Sequence, residues 1–161
     1  MKKDFSLAEA LPLMQEILES GGEVSFTPSG ISMLPLLRHK KDKIFLKKPE
    51  GKLKKYDVPL YRRDDGSFVL HRVVGINADG YIMCGDNQTV KEYSVKDDAV
   101  IAVMTSFCRN GKQTDCTKLS YRLYSRIRVA TLPIRSVFRR IRSLLGRIRR
   151  KLLKTNNADK K

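Results

Sequence analysis

The chain has 161 residues, 41% of them hydrophobic and 31% charged, with 33 Lys+Arg against 17 Asp+Glu for a net charge of +16. That length suits one domain of ordinary size with an added segment. Three cysteines with no CxxC or Cys/His spacing speak against a disulfide framework and a zinc site, and suit a reducing compartment.

The charge is uneven. Residues 1–108 carry 16 Lys+Arg and 15 Asp+Glu, whereas 109–161 carry 17 and 2, so any anionic partner would meet the tail.

In chain order, Leu7, Leu11, Met14, Ile17 and Leu18 fall at helical spacing between Ser6, an N-cap with Glu9 three residues later, and Gly21-Gly22. This predicts an amphipathic helix over 6–20 within an N-terminal segment 1–22. No second helix follows, which excludes a helix-turn-helix reader of DNA. From Val24 to Phe107 the pattern becomes short β-branched and aromatic runs, and strands are expected at 23–27, 43–47, 57–62, 67–76, 80–84 and 99–108. Asp64-Asp65-Gly66 reads as a hairpin turn, and Pro59 places its strand near a sheet edge. Cys84, in Tyr81-Ile82-Met83-Cys84, reads as a buried strand cysteine, and no base is placed beside any of the three thiols. The fold class expected for 23–110 is mainly β.

After Gly111 a tail, 111–161, turns helical again. Leu119, Leu123 and Ile127 precede Pro133, which starts a second helix or kinks a continuous one. Ile134, Val137, Phe138, Ile141, Leu144, Leu145, Ile148 and Leu152 then follow steps of three and four, with arginines filling most of the remainder. From Thr155 onward the chain reads as a frayed terminus. No apolar run reaches the ~18–20 residues needed to span a bilayer, and early acidic residues rule out a signal-peptide core. A cytoplasmic location is expected.

Two short segments suggest chemistry. Ser32 lies in Gly30-Ile31-Ser32-Met33-Leu34-Pro35, where glycine permits a sharp turn and proline stiffens its exit. His71 lies on the alternating run Phe68-Val69-Leu70-His71-Arg72-Val73, where a sheet can hold it. A serine hydroxyl needs a base to take its proton during attack, and histidine titrates close to the working pH. Taken singly, Ser32 reads as a turn serine and His71 as a core histidine; together they read as nucleophile and base. His39, in Arg38-His39-Lys40-Lys41, reads as a solvated loop residue, and Lys52, Lys54 and Lys55 as a charged loop.

Gly30-x-Ser32-Met33-x-Pro35, His71-Arg72-Val73-Val74-Gly75 and Gly85-Asp86-Asn87 resemble, in order, the boxes of the signal peptidase I family and its self-cleaving repressor relatives. The resemblance covers about residues 24–108. It implies a small coiled antiparallel β-domain, peptide bound as an added strand, Ser32 as nucleophile and His71 as general base. Histidine in place of the commoner lysine resembles the Ser/His branch. That branch carries an acid about six positions after the Gly-Asp-Asn aspartate, so Glu92 and Asp86 are both candidates to orient His71; Asp86 reads equally as a turn former. Met33 is either core or the floor of a substrate pocket. The chain departs from the family in having Gly30 where a Ser-x-Ser box places an oxyanion donor, which leaves the Ser32 amide, with Ser29 as the side-chain candidate. It also lacks the family's transmembrane helix.

The expected activity is therefore a serine endopeptidase acting on a peptide or precursor protein, with no metal and no cofactor. The alternatives are a catalytically inactive peptide-binding module and, more weakly, a self-cleaving regulator. The tail's apolar stripe is more than phosphate binding requires, so an anionic membrane surface, met through residues 118–153 on the inner face, is expected ahead of an acidic partner protein and of nucleic acid. The bland reading of the stripe is that it covers part of the β-domain's core.

Overall fold

The computed structural model describes the backbone of residues 7–158 and the side chains of residues 7–145. Ser6, the side chains of Ile148 and Leu152, and residues 159–161 lie outside the described residues.

Helix α1 (Leu7–Glu19) forms on the predicted stripe, burying Met14 and Leu18. It stops before Gly21, whose φ of +80° is the left-handed turn that ends helices. Strands β1 (Val24–Phe26), β2 (Lys43–Lys47), β3 (Pro59–Arg62), β4 (Phe68–Leu70), β5 (Arg72–Asn77), β6 (Gly80–Cys84), β7 (Glu92–Val95), β8 (Val100–Arg109) and β9 (Lys112–Asp115) follow. The chain then enters helices α2 (Leu119–Ala130) and α3 (Leu132–Ala158). The architecture is mixed, with antiparallel sheets and three α-helices among the described residues.

The larger sheet runs β1-β2-β8-β3-β4, with β9 on the free flank of β8's second half; the smaller runs β5-β6-β7. Among the described residues the core is two apolar clusters. One gathers Leu18, Ile44, Leu46, Leu60, Met104 and their neighbours under α1. The other gathers Leu53, Tyr61, Val73, Tyr81 and Met83 between the sheets.

Three expectations change. The strand predicted over 67–76 is two strands, because the chain leaves the larger sheet after Leu70 and joins the smaller one at Arg72, so His71 is the crossing point. The expectation that Pro59 marks an edge does not hold: β3 lies between β8 and β4. Proline is tolerated there because it is the strand's first residue, just before the register shifts between Leu60 and Tyr61. The helix expected to fray at Thr155 continues to Ala158. The Asp64-Asp65-Gly66 turn is as expected, closed by the Gly66 amide donating to Arg63 O at 2.9 Å.

The tail docks in an unusual sense. A surface helix ordinarily turns its apolar stripe to the core; here α2 buries Tyr121 and Ser125, while Leu123, Ile127, Phe138 and Ile141 are exposed. The stripe therefore does not cover the β-domain. No helix among the described residues is long and apolar enough to cross a membrane.

Candidate active site

The turn carrying Ser32 is held from both ends. After the serine, Met33, Leu36 and Leu37 are buried in the larger cluster, and the Leu37 amide donates to Met33 O at 2.9 Å. Asp42, fully buried, accepts from Arg38 Nη2 at 2.7 Å and Arg109 Nη2 at 2.9 Å, tying the end of the loop to the end of β8. Burial alone would raise the Asp42 pKa, but the Arg38 and Arg109 hydrogen bonds outweigh it and hold the carboxyl at about 2. Gly30 has φ +104°, which explains glycine at that position. Its amide donates to His39 Nδ1 at 2.7 Å, so the exposed His39 also closes the turn.

The third box meets the first directly. The Asn87 amide donates to Ser32 O at 2.7 Å, and Asn87 Nδ2 to Ile31 O at 3.2 Å. Gly85 passes so close that a Cβ built there would lie 2.7 Å from Ser32 O.

His71, 2% exposed, sits at the sheet crossing with Nδ1 2.9 Å from Glu92 Oε1 and 3.2 Å from the Tyr61 hydroxyl. Tyr61 in turn donates to Glu92 Oε2 at 2.8 Å. Arg63 grips both oxygens of the carboxylate, Nε on Oε2 at 2.8 Å and Nη2 on Oε1 at 2.5 Å. The arrangement is consistent with a proton on Nδ1 donated to Glu92, which leaves Nε2 as the basic nitrogen. Burial lowers the His71 pKa below its ordinary 6.5, with Glu92 opposing and Arg63 assisting, so the ring is neutral near pH 7. Burial also works against ionisation of Glu92, but Arg63, Tyr61 and His71 together hold its pKa below the ordinary value.

Ser32 and His71 line one cleft of about 240 Å³, together with Ser29, Gly30, Met33, Arg63 and Gln88. Ser29 is exposed at its rim, whereas Met33 is both cleft lining and core. The backbone amide and the hydroxyl of Ser32 have no hydrogen-bond partner among the described residues, and neither has His71 Nε2. The acid candidates separate. Glu92 reaches His71, while Asp86 turns away to Arg72, accepting from Nε and Nη2 at 2.8 Å each.

Arg72 is fully buried. Its remaining nitrogen donates to Tyr56 O at 2.9 Å and Ser125 Oγ at 2.8 Å, and the rings of Tyr121 and Tyr124 flank the guanidinium. The His71-Arg72 dipeptide thus sends adjacent side chains to two different acids. Sequence reasoning missed Tyr61, Arg63 and the Asp42 knot. Arg63 carried a weak signal, since the hairpin turn places it opposite Ser67. The other two depend on pairings across the fold.

Cys84, Cys108 and Cys116 are free. Burial pushes the Cys84 thiol up and Cys116 to about 11, so both are protonated near pH 7.

No family model matches the chain, and neither a curated protein nor a solved structure matches it.

Proposed function

We propose that the chain is a serine endopeptidase resembling signal peptidase I, with Ser32 as nucleophile and His71 as general base, working peripherally at a membrane on a peptide or leader segment. The observation that carries this reading is the shared cleft, lined both by a serine in a fixed turn and by a histidine whose Nδ1 is held by a carboxylate. In the proposed reaction the Ser32 hydroxyl attacks the peptide carbonyl and its proton passes to His71 Nε2. Glu92 stabilises the imidazolium that forms, and His71 returns the proton to the leaving amine. Water then releases the acyl group from Ser32, with His71 again accepting the proton. The unpartnered Ser32 amide is the donor available to the oxyanion.

Two open strand edges support a peptide substrate. β1 and β4 end the larger sheet, and a groove of about 460 Å³ lined by residues of both, including Ser25, Phe26, Phe68 and Leu70, continues from the cleft through Ser29. An extended chain laid between them gains backbone hydrogen bonds. This is the finer fold reading we propose: a coiled β-domain of the signal-peptidase type, with the substrate as an added strand.

The second reading is a peptide-binding module that does not cut. Gly30 in place of an oxyanion-donating serine favours it, as does the lack of a hydrogen bond between Ser32 and His71, although such contacts often tighten only with substrate bound. Comparing new protein N-termini in cells making the intact chain with those making Ser32→Ala decides between them. Ser32 has no side-chain hydrogen bond, so the variant should fold normally. Termini that depend on Ser32 establish the peptidase; identical sets at equal protein levels leave the binding module.

A further inference from the structure

The tail binds its own domain through arginine. Arg128 and Arg135 donate to Asp86 O, and Arg139 donates to Asn87 O at 2.7 Å. These carbonyls belong to the loop whose Asn87 amide holds Ser32. The apolar side of the same helices is left facing outward: Ile134, Val137, Phe138, Ile141, Leu144 and Leu145 are each about half exposed or more, Phe138 at 68%.

The loop after the third box lies beside this face, and Leu144 is the residue of the face that lines the groove between them. Val90 and Tyr93, 74% and 61% exposed, stand across from Pro133 and Leu144 around a groove of about 840 Å³. Lys91, Arg139 and Arg140 line that groove, with the hydroxyls of Ser136 and Ser143. The groove mixes apolar, hydroxyl and cationic side chains and flanks the apolar face, and the chain has no Asp or Glu between Thr117 and Ala158 against 13 Lys+Arg.

We infer that the outward face of α2 and α3, together with Val90 and Tyr93, is the docking surface for an anionic lipid leaflet, with Lys91 and Arg140 meeting lipid phosphates. The charge selects this occupant. A second copy would set arginine against arginine, and nucleic acid would leave the apolar face in water. A leaflet buries the face and pairs its rim. Gln88 lines the cleft while Thr89, Val90 and Lys91 line the groove, so one loop separates the lipid surface from Ser32. Where the peptidase reading holds, the substrate is a chain presented at that leaflet; the lipid contact itself does not depend on that reading.

The test is sedimentation of the full chain with vesicles of phosphatidylglycerol and, separately, of phosphatidylcholine. Binding to the anionic vesicles and not the neutral ones is expected. Phe138→Glu with Ile141→Glu, both at exposed positions, should weaken that binding at least about tenfold, and Lys91→Gln with Arg140→Gln should weaken it with a reduced salt dependence. Failure to bind, equal binding to both vesicle types, or anionic binding untouched by the Phe138/Ile141 change overturns the inference. So does a dimer formed without lipid that the same change dissolves. No cleavage is read, so the outcome stands apart from the Ser32→Ala comparison.

Discussion

Glu92 Oε1 lies 2.9 Å from His71 Nδ1, although the two residues belong to opposite edges of the smaller sheet, at the same end of it. β7 begins at Glu92 and β5 follows His71, and both lie against β6, where Met83 pairs with Val73 on one side and Glu92 on the other. The histidine is therefore oriented by sheet register, and the acid by Arg63 and Tyr61.

Replacing Glu92 by Gln should remove the charge that favours His71 protonation. The His71 pKa, already below 6.5, is expected to fall further, as followed by imidazole NMR titration. If His71 is the base, turnover should drop by roughly 10²–10⁴-fold with the fold retained. An unchanged titration would mean that Glu92 does not govern the ring.

The depressed His71 pKa also sets a pH dependence of stability. The unfolded chain takes up the His71 proton near 6.5, before the folded chain does. The contribution is therefore full above about pH 6.5 and is lost as pH falls through the interval below it. Urea midpoints measured from pH 8 downward should decline in that window, and His71→Gln should remove that component of the slope. The acid limb of any peptidase activity should likewise fall below pH 6.5.

Asp42 gives a second, more acidic step. Its pKa is about 2 against an ordinary 3.8, which corresponds to about 2 kcal/mol present above pH 4 and lost as pH falls toward 2. Asp42→Asn should cost about that much near neutral pH, by chemical denaturation. Amide exchange should rise in the Ser32 turn, because Arg109 also holds the carbonyls of Pro35 and Leu36.

Gly85→Ala should act on the serine without touching it. The added methyl meets Ser32 O at 2.7 Å, so the turn or the loop must shift at a cost of about 1–3 kcal/mol. Loss of Ser32-dependent cleavage is expected to exceed what that destabilisation explains.

Arg72→Ala should be the most destabilising of these changes, by about 3–5 kcal/mol, because Asp86 is 2% exposed and would lose its bidentate partner. Thermal unfolding measures it directly, and a cost under about 1 kcal/mol would show that the pair relaxes to water.

Much of this was legible from local pattern. The stripe of α1, the hairpin at Gly66 and most strands follow from periodicity and turn residues. That Ser32 and His71 are worth pairing follows from two short boxes, and the cleft they share was not visible in either. What was illegible depended on pairings distant in sequence. β7 and β9, Glu-Tyr-Ser-Val and Lys-Gln-Thr-Asp, have too few apolar residues to signal a strand and exist because β6 and β8 offer them free edges. The break at His71 has no turn residue to announce it, since alternation continues through the crossing. Asp86 and Glu92 were equal candidates on spacing alone; Arg72 and Arg63 separate them. The tail's stripe was clear, but its outward direction was not, because that depends on Tyr121, Ser125 and Arg135 finding polar partners in the domain.

Arg72 and Asp86 are made early and enclosed late. The guanidinium is closed over by Tyr121 and Ser125, which follow β9. On the ribosome, every strand is translated before the residues that seal this buried ion pair exist. Until α2 arrives, the sheets hold Arg72 against Asp86 without the tyrosine and serine that later enclose the pair.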